Sequence, residues 1–366
     1  MTGRERILAA INGQKPDRMP WAPMVNDFSL SHLRENEQDV LAFLRKVKAD
    51  IIIRWVKSCS GFGMEDDFSC EPSIKKTVIN SGADTITTYE TPVGKIDQVK
   101  TISPIAGNTP FITKYFITTD KDIPVYRYLW ESMVPAPNYD KTKRELSIIE
   151  EEGVGLLWLP PSPLLQLIMY DIGLDGLNYV LADNSEEMES LLNVMAEKTI
   201  EAADIVFDSP GGFFLIPENS GTMLVTPIQF SDYCLPILKE YGRMARQRGK
   251  KVFLHACGHL QALLPLIAKA NMHGIESLTE PPTGDSTLEY TREILGEEAV
   301  IFSGLNPVEF AMLPPKQIAR RVEETIARVG DNPRFILMPS DSTPAAVPME
   351  NYEIVVKTLE RYRNYI

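Results

Sequence analysis

Eight short runs of β-branched, aliphatic and aromatic residues recur along the chain, and most are followed by a stretch of helical periodicity. This alternation is the feature that most limits the fold. The runs centre near residues 21, 51, 154, 213, 252, 275, 300 and 335. A helix between two strands carries the chain back to the same end of a sheet, so the alternation demands parallel pairing. Eight such units predict an α/β chain folded as a (β/α)8 TIM-like barrel. A length of 366 residues suits one such domain, spanning 1–366. No Gly-x-Gly-x-x-Gly follows a strand, so a dinucleotide-binding sheet is not indicated.

Local signals refine this outline. Thr2 to Asn12 reads as a helix with Thr2 as cap and Gly13 as stop. Trp21 to Val25 reads as the first strand, Ser31 to Lys48 as a helix and Ile51 to Trp55 as the second strand. Near residues 60–110 the pattern changes to period two: Thr85 to Thr91, a turn at Pro92-Val93-Gly94, then Lys95 to Thr101. That is a β-hairpin region, or a meander, inserted into the α/β pattern. Ser185 to Ser209 reads as a long amphipathic helix capped by Asn184 or Ser185, and Thr226 to Arg248 as a helix after Pro227.

The polar residues of interest fall just after the strands: Asn26, Asp27, Glu218, His255, Cys257, Glu280, Asn306, Ser340 and Asp341. Barrel enzymes hold their chemistry at those strand ends. The strongest feature among them is Lys251 to His259, reading KVFLHACGH. Residues two apart on a strand face one side, so His255 and Cys257 point together. An imidazole and a thiolate so placed are half of a tetrahedral zinc site. The competing reading is a core cysteine beside a hydrogen-bonded histidine. Trp21, Met24, Phe28 and Trp55 suit either core or pocket wall, and Trp21, Met24, Asn26 and Asp27 are the candidates for contact with substrate. Cys59 and Cys70 lack metal-ligand spacing and read as structural, and His259 as a helix cap or surface group.

Charge removes some partners. A formal net charge of −13 disfavours a nucleic-acid backbone. The longest apolar stretch, Gly155 to Tyr170, is cut by Pro160, Pro161 and Pro163, short of the roughly 18 residues that cross a membrane. Neither a nucleic acid nor a membrane is therefore expected as partner. The opening residues read as an amphipathic helix and not as an apolar leader, and four cysteines in this length do not make a disulfide framework. Together these suggest a cytoplasmic protein. Homodimerisation stays open.

Several segments resemble the uroporphyrinogen decarboxylase superfamily. They are Arg4-Glu-Arg-Ile-Leu-Ala-Ala-Ile-Asn-Gly with Lys15-Pro-Asp-Arg-Met-Pro20, His255-Ala-Cys-Gly, Gly304-Leu-Asn-Pro, and Thr343-Pro with Pro348-Met-Glu-Asn351. The resemblance implies a distorted (β/α)8 barrel. It also implies one of two activities: decarboxylation of uroporphyrinogen, or zinc-dependent methyl transfer to or from a corrinoid protein. The decarboxylases carry arginines after the first proline turn, where this chain reads Trp21-Ala-Pro-Met-Val-Asn-Asp-Phe. The methyltransferase branch is therefore the closer one. His255 and Cys257 match the His-x-Cys of the coenzyme M methyltransferases, whose third ligand, a cysteine, falls near Ser340 here. In the ether-demethylating branch two carboxylates precede the histidine, and the corresponding places are Glu218 and Cys234. The resemblance thus implies zinc held by Glu218, Cys234, His255 and Cys257, with His255 and Glu218 catalytic.

What the resemblance implies for function is methyl transfer from a small methoxylated, aromatic substrate to cobalamin. No Asp-x-His-x-x-Gly stretch is present, so the cobalamin is expected on a separate corrinoid protein. The alternatives are transfer from methylcobamide to a thiol, uroporphyrinogen decarboxylation, and a barrel that only binds.

Overall fold

The structure, a computed structural model, describes residues 1–33, 38–64, 69–103, 109–183 and 185–363. Its strands in chain order are β1 (Ile51–Ile53), β2 (Lys75–Ser81), β3 (Asp84–Thr91), β4 (Gly94–Ile102), β5 (Pro110–Lys114), β6 (Gly153–Trp158), β7 (Phe213–Pro217), β8 (Lys251–His255), β9 (Gly274–Glu276), β10 (Val300–Leu305) and β11 (Phe335–Pro339). Seven of them form one parallel sheet in the order β1-β6-β7-β8-β9-β10-β11. Apart from the β1 to β6 step, which skips the insert, spatial order follows chain order, as successive β-α units laid side by side give.

The sheet is curled, and its two edges are both reached by one segment. Trp21 forms a parallel bridge with Leu337 of β11. The Ala22 N–H donates to the Leu337 carbonyl at 2.9 Å, and the Leu337 N–H to the Pro20 carbonyl at 2.9 Å. On the opposite side, the Asp50 N–H donates to the Trp21 carbonyl at 2.7 Å, immediately before β1. The Asp50 carboxylate also accepts from the Trp21 N–H and from Arg18, and pairs with Arg6. The expected first strand, Trp21 to Val25, is thus a single bridge at Trp21. Pro20 and Pro23 flank it, and neither has an N–H with which to extend a ladder.

Period two sorts the side chains into two cores. On the concave face Ala22, Ile52, Val154, Leu156, Leu215, Phe253, Phe302, Ile336 and Met338 pack with Ile7, Ala10 and Ile11 of the helix Gly3–Asn12. That helix begins with a capping box between Thr2 and Glu5 and ends at left-handed Gly13, as expected. On the convex face Ile51, Leu157, Phe214, Leu254, Ile301 and Leu337 meet the surrounding helices. The apolar plug fills the concave side, so polar groups facing inward can collect only at the carboxyl ends of the strands.

The inserted region is a four-stranded antiparallel meander, β2-β3-β4-β5, the larger of the two expected forms. Its expected Thr85–Thr91 and Lys95–Thr101 arms pair as β3 and β4 around Pro92 and Val93. Parts of the 60–110 region, 65–68 and 104–108, lie outside the described residues, as does Asn184, one of the two expected caps of the long helix, which runs Ser185–Asp208. The helix expected over Ser31 to Lys48 is instead two short ones, Asp27–Leu30 and Val40–Lys46, with 34–37 outside the described residues. The helix expected over Thr226 to Arg248 contains a π-helical turn, Phe230–Cys234, before Leu235–Gln247. Among the described residues, no helix is long and apolar enough to cross a membrane.

Candidate active site

Above the apolar plug lies a cavity of about 420 Å³ lined by residues that end or follow β1, β6, β7, β8, β9 and β11. Met24, Arg54, Trp55, Trp158, Tyr170, Pro217, Asn219, His255, Glu276, Asp341 and Ser342 contribute to its wall. A side recess of about 60 Å³ shares Trp158, Tyr170 and Pro217 and adds Lys57, Phe62 and Gln166. The Lys57 ammonium lies 5.5 Å from the centre of the Phe62 ring and 5.8 Å from that of Trp158, within cation–π range.

The polar centre of the cavity is a chain of three side chains. Arg54 Nε donates to Glu276 Oε1 at 2.5 Å, and Glu276 Oε2 lies 2.9 Å from His255 Nδ1. Glu276 is fully buried. Burial works against its charge, but Arg54 and His255 outweigh it and hold the carboxyl down to about 2. An ionised carboxylate only accepts, so His255 Nδ1 is the donor. Burial lowers the imidazole, yet the hydrogen bonds and charges of Cys257 and Glu276 prevail and push it up to about 10. Cys257 Sγ also lies 3.9 Å from Asn219 Oδ1.

A second acid and thiol sit at the end of β7. Glu218 is fully buried, accepting from the Ser162 N–H at 2.8 Å and from Ser162 Oγ at 2.5 Å. Pro217 opposes His255 in the β7–β8 register and lines the cavity, so Glu218, one residue on, leaves on the opposite side of the pleat. The π-helical turn brings Cys234 to it. Burial pushes the Glu218 carboxyl up to about 7, despite the bonds from Ser162 and Cys234. Burial and the neighbouring Glu218 push the Cys234 thiol up as well.

The sequence-derived candidates therefore separate. His255 and Cys257 are brought together, and so are Glu218 and Cys234, but among the described residues no hydrogen bond joins the two pairs. Met24 and Asn26 line the cavity. Asn26 is engaged in capping Asp27–Leu30 through Ser29 and also reaches Ser342. Trp21 does not line the cavity: it is fully buried on the convex side, edge-on to Phe310 at 5.8 Å between centroids. Asp27 starts the short helix and is exposed, away from the lining. Ser340 is buried and donates to the Leu305 carbonyl at 2.9 Å. Glu280 pairs with Arg328 and caps a helix at Leu288.

A sequence model described as Uroporphyrinogen decarboxylase (URO-D) matches residues 166–362, more than half of the chain. The chain belongs to the uroporphyrinogen decarboxylase family. Among solved structures it resembles a methyltransferase from Methanosarcina mazei, with a TM-score of 0.64, 15% identity and 99% of each chain covered. At that identity the likeness is one of fold. No curated protein sequence matches the chain.

Zinc, which the family resemblance implies, can be tested against the donors of this family member. His255 is arranged as a ligand would be, with a carboxylate on Nδ1 that fixes the ring and leaves Nε2 as the other nitrogen. Cys257 reaches the same ring and supplies a soft donor. These two fit. Among the described residues, no group of three or more His, Cys, Asp or Glu is gathered for a metal ion. The sequence reading passed over Arg54 and Glu276, though each is a charge at the end of an otherwise apolar strand, Ile51-Ile-Ile and Gly274-Ile. A charge in such a place needs a buried partner, and that was the available signal.

Proposed function

We propose that this chain is a methyltransferase that takes a methyl group from a small methoxylated aromatic substrate and passes it to the cobalamin of a separate corrinoid protein. The lining of the cavity carries the reading. Trp55, Trp158 and Tyr170 offer aromatic walls for a single ring, and the one arginine in the lining, Arg54, is paired with Glu276. Uroporphyrinogen, with its eight carboxylates, calls for cations that this lining does not offer. On this reading the Trp21 segment is the eighth stave of a TIM-like (β/α)8 barrel, and the cavity is its C-terminal mouth.

His255 and Cys257 are the pair we assign to zinc. Bound there, zinc would supply Lewis acidity toward an ether oxygen, which is otherwise a poor leaving group. Glu276 keeps a proton on His255 Nδ1 and so presents the ring by its other nitrogen. The aromatic walls orient the ring of the substrate and exclude water. Among the exposed apolar side chains, Phe28, Trp55, Met223, Ile228 and Val308 lie in segments that follow the carboxyl ends of strands or of the Trp21 segment, while others, such as Val78, Ile79 and Phe111, lie on the inserted sheet. Apolar surface on the side of the cavity suits a protein partner that must bring its cobalamin close.

Incubation of the purified chain with methoxylated aromatics and a reduced corrinoid protein tests the proposal. Methyl transfer that requires both, with about one zinc per chain, is the expected result. Uroporphyrinogen decarboxylation by metal-free protein would overturn it.

A further inference from the structure

We propose that Arg54 is a positioning residue: reaching across the concave face from β1 to β9, it holds Glu276 against His255 and so fixes the direction of the imidazole ring. The inference rests on the reading of His255 as a working residue of the cavity. β1 and β9 are four steps apart in the sheet, β1-β6-β7-β8-β9. At about 4.8 Å per step they would be roughly 19 Å apart in a flat sheet. The curl brings Arg54 Nε and Glu276 Oε1 to 2.5 Å.

The way the guanidinium is used separates positioning from simple bracing. An arginine that braces a carboxylate commonly takes both oxygens in a parallel fork. Here only Nε meets the carboxylate. Nη1 donates to the Ile52 carbonyl at 3.0 Å, and Nη2 is directed to Met338 Sδ at 3.8 Å. The guanidinium is thus held by its own strand and by β11. Glu276 keeps Oε2 for His255 Nδ1 at 2.9 Å. Each carboxylate oxygen has one partner, so turning the carboxylate toward anything else breaks one of the two bonds. Backbone geometry supports the same fixed arrangement. Ser277, directly after Glu276, has φ 69°, left-handed in a residue that bears a side chain. Strain of that kind persists where the surroundings over-determine it.

The test uses the full chain and three measurements: the His255 ring N–H signals by NMR in metal-free protein, zinc affinity by chelator competition, and thermal midpoint. Arg54→Met is expected to abolish the slowly exchanging Nδ1–H signal of His255. It should also weaken zinc binding about 10- to 100-fold, the usual loss for an orienting partner. Because Arg54→Met leaves the buried Glu276 carboxylate without its guanidinium, with His255 as its remaining partner, its midpoint will fall for that reason alone. The double variant Arg54→Met/Glu276→Leu removes both charges and is expected to recover the midpoint while zinc affinity stays low. Retention of the Nδ1–H signal and of wild-type zinc affinity in Arg54→Met would overturn the proposal, whatever the midpoint does. If the wild-type chain binds no zinc, the zinc assignment above fails, and the Nδ1–H signal alone decides the role of Arg54.

Discussion

Two pairs, each with a thiol, stand at the ends of the neighbouring strands β7 and β8, and they live in opposite media. Glu218 and Cys234 are dry: among the described residues Glu218 is met by the neutral Ser162 hydroxyl and amide and by no cation, and both groups are driven toward their protonated forms. His255 and Cys257 face the cavity, and the acid beside them, Glu276, is equally buried yet fully ionised. Both acids are buried completely, so burial does not explain the difference. Arg54, with His255 beside it, does: a guanidinium at 2.5 Å and the imidazole on the other oxygen reverse the sign of the shift. The side of the pleat then decides which pair meets substrate.

The sharpest way to break this comparison is by activity. His255→Ala or Cys257→Ala is expected to lower methyl transfer on the order of 10²- to 10³-fold, as loss of a main electrostatic group does. Glu218→Gln should stay within a few-fold of wild type in the same assay. An equal loss in Glu218→Gln would mean that the two pairs serve one centre.

The pH dependence of stability in metal-free protein should divide the two acids next. Glu218 has its folded value raised to about 7, so the fold holds its proton more tightly than the unfolded chain does. Its contribution is present below about 4.5 and is lost as pH rises to about 7. Glu276 has its folded value lowered to about 2, so its contribution is present above about 4.5 and is lost as pH falls toward 2. His255, raised to about 10, contributes below about 6.5 and loses that contribution as pH rises through 10. Each acid carries on the order of 3 kcal/mol. Urea midpoints across pH should therefore flatten on the neutral limb in Glu218→Gln and on the acid limb in Glu276→Gln.

Smaller effects sharpen the same division. Trp55→Ala, on the cavity side, should raise the KM for an aromatic substrate roughly tenfold with little change in kcat. Cys234→Ala, on the dry side, should cost about 1–2 kcal/mol in chemical denaturation and leave KM unchanged.

How much of this was legible beforehand follows from the same pleat. The order of strands and helices, the strand-end position of His255 and Cys257, and the inserted β region could be read from periodicity alone. Which face a residue takes next to a strand end could not. Trp21 and Met24 looked alike as apolar wall, yet Trp21 packs on Phe310 and Met24 lines the cavity. Glu218 and His255 looked like partners on adjacent strands, but Pro217 holds the inward place that Glu218 misses by one residue. The Arg54–Glu276 contact joins residues 222 positions apart, and no local pattern carries such a pairing. The helix expected over Ser31 to Lys48 is not continuous, because Asn26 and Asp39 each cap a separate short helix.

The bridge between Trp21 and Leu337 also sets an order of events during synthesis. Residues made early must wait for residues made near the end before the sheet edge at β11 can be satisfied. Until then the Trp21 segment is tied to the β1 side alone, through Asp50, and the apolar inner face lies open to water along a seam. Closing contacts this distant in sequence form slowly, and exposed edges are prone to wrong pairing meanwhile. The inner face of the sheet is thus sealed along this seam only once Leu337 meets Trp21.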